Sequence, residues 1–98
     1  MIEYTPKAAR QVAAPRAYYQ EKDRPEAVSR LDAALRGAAR RIERDPGAGL
    51  PAPRPYPALA RPGRVWIKMG RYWIAYSTTE PPVVVGVFYE TADIPGRI

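Results

Sequence analysis

The side chains best suited to chemistry or binding lie in the last third of the chain, where aromatic rings alternate with cations. Trp66, Lys68 and Trp73 lie on short apolar segments, and Arg64 and Arg71 flank them. Rings and cations in this arrangement can stack on bases and hold phosphates, and they can equally anchor a partner protein. Alternatively, a pair of helices covers this face and the tryptophans are core residues. The pattern leaves both interpretations open.

Other kinds of site have little support in the sequence. The chain has no histidine and no cysteine, so the commonest general base and the thiolate nucleophile are both absent. It has no glycine-rich phosphate loop. The carboxylates Glu80, Glu90 and Asp93 fall near strand ends without the paired spacing of a hydrolase or a metal site. We therefore predict neither a metal nor a cofactor.

Length and charge limit the class of protein. A chain of 98 residues predicts a single domain over residues 1–98 with a modest core. The 16 Lys and Arg residues outnumber the 10 Asp and Glu residues, which gives a net charge of +6 and favours acidic partners such as nucleic acid, an acidic protein segment or anionic lipid. Because no apolar stretch is long enough to span a membrane and no signal-peptide pattern opens the chain, we expect a cytoplasmic protein.

Three short strands are predicted at residues 65–69, 72–77 and 83–89. The two-residue loop Gly70-Arg71 joins the first two, and a leading glycine suits a type II′ turn. The turn predicts the register and hence the two faces of the hairpin. One face pairs Met69 with Tyr72, Ile67 with Ile74 and Val65 with Tyr76; the other pairs Lys68 with Trp73 and Trp66 with Ala75.

Two helices are predicted before these strands. Residues 1–4 are a short apolar run that can add an edge or a central strand to the sheet, and Thr5-Pro6 is a typical cap and first position of a helix. Pro15 predicts a kink or a break in that helix. Asp23 is the expected cap of a second helix. Its apolar stripe repeats at three and four residues and consists of Val28, Leu31, Leu35, Ala38 and Ile42.

The segment 46–63 holds six of the twelve prolines and predicts an extended connector within the domain. Leu50, Tyr56 and Leu59 are the expected anchors that hold it to the domain. A ligand for proline-binding domains is the alternative interpretation. The predicted fold class is therefore α+β, in the order β-α-α-β-β-β, with a strand, a helical hairpin and a three-stranded antiparallel sheet.

This order of elements resembles the RelE/ParE superfamily of small bacterial toxins from type II toxin-antitoxin systems. The resemblance covers nearly the whole chain and depends on several motifs in the right order. They are Ile2-Glu3-Tyr4-Thr5-Pro6-Lys7-Ala8, Arg24-Pro25-Glu26-Ala27, Asp45-Pro46-Gly47-Ala48-Gly49, Gly70-Arg71-Tyr72-Trp73-Ile74-Ala75-Tyr76, and the tail Val87-Phe88-Tyr89-Glu90-Thr91-Ala92-Asp93-Ile94-Pro95.

The resemblance implies one of two activities. RelE-like members cut mRNA in the ribosomal A site with cations on the sheet, an arginine after the last strand and a terminal tyrosine. Lys68 matches one sheet cation, whereas Trp66 and Trp73 fall where two others are expected. Ala92 and Ile98 fall near the arginine and the tyrosine. A nuclease would have to depend on Lys68, Arg64, Arg71 and Tyr76.

ParE-like members lack the cleavage residues and poison DNA gyrase, so the chain looks ParE-like and we expect no catalytic centre. An acidic, ParD-like antitoxin is the implied partner, with its C-terminal segment packed over the helices and the sheet. Direct binding of nucleic acid is a secondary expectation, and a non-toxic binding module is a third interpretation. The residues expected to bind the target or the antitoxin are Trp66, Lys68, Arg71, Trp73, Tyr89, Asp93 and Arg97.

Overall fold

The fold is built around an antiparallel hairpin that the sequence predicts residue by residue. The computed structural model describes residues 2–97 of the chain. Its elements are β1 (Glu3–Tyr4), α1 (Pro6–Glu21), α2 (Pro25–Arg44), a 3₁₀ turn (Pro57–Leu59), β2 (Arg64–Met69), β3 (Tyr72–Ser77), β4 (Val83–Tyr89) and α3 (Ile94–Arg97). The predicted α+β class and the order β-α-α-β-β-β are confirmed. Met1, part of the predicted first strand, and Ile98 lie outside the described residues.

The predicted register of the hairpin is confirmed. Met69 pairs with Tyr72 and Lys68 with Trp73, and the other three predicted pairs also form. Gly70 has φ +58° and begins the turn, as a type II′ loop requires. Side chains alternate along each strand, so this register also decides which residues share a face.

The sheet has four strands rather than the three predicted, in the order β1-β4-β3-β2. The N-terminal strand adds to the edge of the sheet, where β1 runs parallel to β4 and Glu3 pairs with Val83. The backbone N–H of Thr5 then donates to the carbonyl of Val84 at 3.0 Å. This bond ties the start of α1 to the sheet.

The start of α1 is as predicted. Of the two effects expected of Pro15, a kink or a break, the break is wrong. Thr5 Oγ1 accepts a hydrogen bond from the Ala8 N–H at 3.1 Å, as an N-cap does. The helix runs through Pro15 without a break. Tertiary contacts on both sides hold it, because Val12 is buried in the core before the proline and Arg16 pairs with Asp32 of α2 after it.

Asp23 does not cap α2, contrary to the prediction. It has φ +53° and ends α1 in a Schellman motif, in which the Asp23 N–H donates to Gln20 O and the Arg24 N–H to Tyr19 O. Aspartate adopts this left-handed conformation more readily than most residues. The cap position of α2 falls to Arg24, which makes no capping hydrogen bond through its side chain.

The helices cover one face of the sheet. The predicted stripe of α2 is confirmed in part: Leu31, Ala38 and Ile42 are buried and Leu35 packs beside them, against core residues of the hairpin, whereas Val28 is only half-buried. Ala27 and Ala34, which the prediction left out, complete the buried face. The opposite face has a second core of its own. This core consists of Trp66, Trp73, Ala75, Phe88 and Ile94, and Leu50, Tyr56, Leu59 and Val85 pack against it.

The proline-rich connector closes the second core. Leu50 forms an isolated antiparallel bridge with Trp66, and both of its N–H···O bonds measure 2.8 Å. Leu50, Tyr56 and Leu59 are the anchors that the sequence predicts, and Pro53 is fully buried among them. The connector therefore belongs to the domain and also pairs with the edge strand β2, which would otherwise expose backbone donors and acceptors.

Candidate functional site

The tryptophans singled out in the sequence are core residues. Trp66 is 0% exposed and Trp73 is 3% exposed, and the Trp66 ring stacks on Phe88 with 5.8 Å between centroids. The prediction that both rings form a docking surface is therefore wrong for the folded chain. The alternative interpretation, in which both tryptophans are core residues, is correct. The segments that cover them are not the helices that this interpretation expected. The connector and Ile94 cover this face, while the helices pack on the other one.

The cations predicted beside the tryptophans pair locally. Lys68 Nζ lies 5.5 Å from the centroid of the Trp73 ring and 4.0 Å from Glu90 Oε1. Arg71 reaches the other oxygen of Glu90 at 3.5 Å. Arg54, from the connector, lies 5.7 Å from the centroid of the Trp73 ring. Half-exposed ion pairs of this kind add little to the free energy of unfolding. These cations therefore border the second core and do not build a strongly ordered binding site.

The four residues that a nuclease would require do not converge. Arg64 and Arg71 flank the two ends of β2, which a strand of this length separates by roughly 16 Å. Tyr76 faces the helices, where its hydroxyl donates to Pro46 O at 2.6 Å and lies 2.9 Å from Ala48 O. Burial raises the pKa of the Tyr76 phenol. Tyr76 therefore ties the start of the connector, just after α2, to the sheet, on the face opposite Lys68.

A different aromatic surface is accessible. Four tyrosines from α1, β3 and β4 meet at one end of the molecule; this tyrosine cluster consists of Tyr18, Tyr19, Tyr72 and Tyr89. Tyr18 is 53% exposed and Tyr89 is 37% exposed, and they are the large hydrophobic side chains that residues 2–97 leave exposed. Tyr19 is half-buried, and Tyr72 is 5% exposed and forms the base of the cluster, in the core under the helices. Tyr72 and Tyr89 meet edge to face with 5.4 Å between centroids, and the hydroxyls of Tyr19 and Tyr72 lie 3.3 Å apart.

Cations surround the tyrosine cluster. Lys22 Nζ lies 5.8 Å from the Tyr18 centroid, and the Arg24 guanidinium lies 5.9 Å from that of Tyr19, both within the range of cation–π attraction. Burial raises the pKa of the Tyr72 phenol, and its hydrogen bond with Tyr19 raises it further. The Tyr72 phenol is therefore harder to ionise than that of an ordinary tyrosine.

Two grooves run from the tyrosine cluster. The first, of about 840 Å³, lies between the tip of the helical hairpin and the β2–β3 turn. Arg24, Arg30 and Arg71 line it together with Tyr19, Tyr72 and Tyr89. The second, of about 980 Å³, follows α1 to the end of β4, and Arg10 and Arg97 line it. The cluster thus lies at the centre of a concave, cationic and aromatic surface.

Comparison with known proteins identifies the family. A family model for the ParE toxin of the type II toxin-antitoxin system, parDE, matches residues 2–90. The match takes in the whole sheet and both long helices. The chain belongs to the ParE toxin family. No curated protein and no solved structure matches it.

Part of the tyrosine surface of this ParE-family toxin is predictable from its sequence. Arg71, Tyr89 and Arg97 were expected to bind a partner, and the structure places each of them in the lining of a groove. Asp93 lies just before α3 and lines neither groove. Ala92, which stands near the expected arginine, lines the second groove. The terminal position, Ile98, lies outside the described residues.

Sequence reasoning missed Tyr18, Tyr19 and Tyr72 of the toxin as parts of a site. Two adjacent tyrosines in the last turn of α1, close to Lys22 and Arg24, were the available signal. One tyrosine of such a pair can enter the core only by leaving its neighbour outside, because successive residues on a helix point about 100° apart. The exposure of Tyr18 is the result.

The described part of the toxin contains no group of three or more Asp and Glu side chains that could hold a metal ion. Within the same residues, no helix is both long and apolar enough to cross a bilayer.

Proposed function

We propose that this type II toxin arrests growth by poisoning DNA gyrase and that an acidic, ParD-like antitoxin neutralises it. Family membership supports the toxin class. One observation favours a protein target over mRNA cleavage: Trp66 and Trp73, which stand where a RelE-like nuclease has cations, are buried. Lys68 and Tyr76 in addition lie on opposite faces of the sheet. Both proposed partners are expected in the cytoplasm.

The tyrosine cluster is the proposed docking surface. Tyrosine and arginine are enriched among the residues that dominate protein interfaces, because they bury a large area and still make polar contacts. The groove lined by Arg24, Arg30 and Arg71 complements an acidic segment such as the proposed antitoxin. Lys68, predicted in the same role, pairs with Glu90 beside Arg71 and can contribute at the edge of the surface.

A gyrase assay with the purified toxin tests the target. We expect an excess of toxin to inhibit supercoiling and to trap cleaved DNA, and we expect an equimolar amount of antitoxin to restore activity. Supercoiling that stays unchanged with excess toxin would contradict the proposal. Cuts in the ribosomal A site, detected by primer extension on translated mRNA, would point to a nuclease. Normal growth on induction without antitoxin would indicate a non-toxic binding module.

A matched pair of charge reversals tests the docking surface. Arg30 and Arg44 are both exposed on α2, but only Arg30 lines the first groove. We expect Arg30→Glu to weaken antitoxin binding by about tenfold or more, because it places a like charge opposite an acidic partner. We expect Arg44→Glu to have less than a threefold effect. Equal losses in calorimetric titration would mean that net charge, not this groove, drives binding.

A further inference from the structure

The outer face of α2 carries a row of exposed arginines. Arg36, Arg40 and Arg44 follow one another at intervals of four residues, and Arg41 lies next to Arg40. All four side chains are exposed. Because four residues make slightly more than one helical turn, the first three lie along one side of the helix over a length of roughly 12 Å. We call these four residues the arginine ridge.

The arginine ridge concentrates the positive charge of the chain. Residues 36–44 hold four arginines and one acidic residue, Glu43, so they contribute +3 of the net charge of +6. None of the four arginines forms an ion pair within residues 2–97. The other carboxylates of α2, Glu26 and Asp32, pair with arginines that lie outside the ridge. The ridge therefore keeps a strong positive charge.

The stability of the helix alone does not account for this pattern. Cations in the last turn of a helix interact favourably with its dipole, which suits Arg41 and Arg44. Arg36 and Arg40 lie before that turn, and like charges four residues apart destabilise a helix. The ridge contains two such pairs, because Arg40 lies four residues from both Arg36 and Arg44. A polyanion bound along the ridge would offset this repulsion.

The surroundings of the ridge favour a nucleic acid over a protein or a membrane. Protein interfaces depend on large aromatic or aliphatic anchors, whereas residues 33–44 expose, besides the ridge, Ala33 and Glu43. A helix that lies in a membrane surface inserts its apolar face, but the apolar face of α2 is buried against the sheet through Leu31 and Ile42. A phosphate backbone requires positive charge and hydrogen-bond donors, and the ridge presents both.

We propose that the arginine ridge binds the phosphate backbone of duplex DNA without sequence specificity. Guanidinium groups match phosphate oxygens with paired hydrogen bonds. Phosphates follow one another at ~3.4 Å along each strand of the duplex, so a ridge of roughly 12 Å spans about three of them. The ridge lies in the second half of α2, away from the hairpin tip, and lines neither groove of the tyrosine cluster. DNA and the proposed protein partners therefore have separate binding surfaces.

The salt dependence of DNA binding tests the ridge on the full-length toxin. A fluorescent duplex of about 20 bp is titrated with toxin between ~50 and ~200 mM salt, and anisotropy gives the binding constant at each concentration. In a plot of its logarithm against that of the salt concentration, each phosphate contact contributes about −0.9 to the slope. Combined replacement of Arg36, Arg40 and Arg44 by glutamine should therefore make the slope shallower by about 2.7 and weaken binding at least about tenfold at ~50 mM salt.

The matched control replaces Arg10, Arg61 and Arg97, which are exposed outside α2, by glutamine. It removes the same charge and should change the slope by less than about 1. Equal changes in the two triple variants would show that net charge drives binding and would overturn the proposal. Arg40→Gln alone, with an expected change of about 0.9, replaces the ridge variant if circular dichroism shows that the latter does not fold.

The nature of the anion is decided with the same anisotropy assay. Two duplexes of unrelated sequence should bind within about twofold of each other, because phosphate contacts carry no sequence information. No binding of DNA at ~50 mM salt would overturn the proposal. Poly-glutamate that displaces the duplex as well as unlabelled DNA does at equal charge would instead assign the ridge to an acidic protein. Gyrase is absent from this experiment, so a negative result leaves the proposed target untouched.

Discussion

Replacement of Trp73 by alanine tests whether the aromatic face of the sheet is core or surface. In the folded chain Trp73 is 3% exposed and packs in the second core with Trp66, Phe88 and Ile94. The cations Lys68 and Arg54 lie within 6 Å of its ring centroid. Loss of the ring therefore opens a cavity under the connector and removes both cation–π contacts.

The expected loss of stability is large for a domain of this size. A tryptophan buries on the order of 200 Å² of surface, which at ~25 cal/mol per Å² corresponds to about 5 kcal/mol, and measured Trp→Ala changes in cores cost about 3–5 kcal/mol. The total stability of a small domain is only about 5–15 kcal/mol. Since each kcal/mol lowers Tm by about 4–8 °C in a chain of this length, we expect Tm to fall by at least about 12 °C.

Thermal unfolding followed by circular dichroism measures this effect, with Tyr18→Ala as the matched control. Tyr18 is also aromatic but is 53% exposed, and substitutions at exposed positions usually change stability by about 0.5 kcal/mol or less. We therefore expect Tyr18→Ala to lower Tm by less than about 4 °C. If the two variants melt at the same temperature, Trp73 is not a core residue and the assignment of this face is refuted.

Three further predictions concern the core between the sheet and the helices, and the connector. Tyr76→Phe should cost about 1–3 kcal/mol, because it removes the hydroxyl that donates to Pro46 O and lies close to Ala48 O, at the start of the connector. A denaturant midpoint equal to that of the parent would contradict this. Burial raises the pKa values of Tyr4, Tyr72 and Tyr76 above the usual value of about 10, so the folded state holds these protons longer than the unfolded chain. Stability should therefore be constant with respect to these groups below pH ~10 and fall as the pH rises further, and denaturant titrations from pH 8 to 11 check the sign. Gly49→Ala should cost about 2–4 kcal/mol, because Gly49 has φ +141° and a Cβ there would lie 2.6 Å from Val65 Cγ1. The control Gly63→Ala has φ +75° with open space around it and should cost about 1–2 kcal/mol. Equal melting temperatures of the two variants would show that the contact of Gly49 with β2 is unimportant.

Local patterns determined most of the secondary structure. The Gly70-Arg71 loop and the alternation around it predicted five of the six pairs of the β2–β3 hairpin, because strand register follows from turn length and a side-chain period of two. The stripe through Leu31 and Ile42 likewise predicted the buried face of α2. The local pattern at Asp23 was misinterpreted, because the same residue type can cap one helix or end another.

The sequence by itself thus determined the elements, their register, the anchors of the connector and, through its motifs, the family. Only the tertiary structure decided which faces are covered. Both faces of the hairpin are apolar enough to be buried, and a periodic pattern does not specify which distant segment packs on which face. The connector returned over Trp66 and Trp73, while Tyr18, Tyr19, Tyr72 and Tyr89 came together at the tip of the helical hairpin, beside the loop that joins α1 to α2. The accessible aromatic surface therefore lies where three separate elements meet.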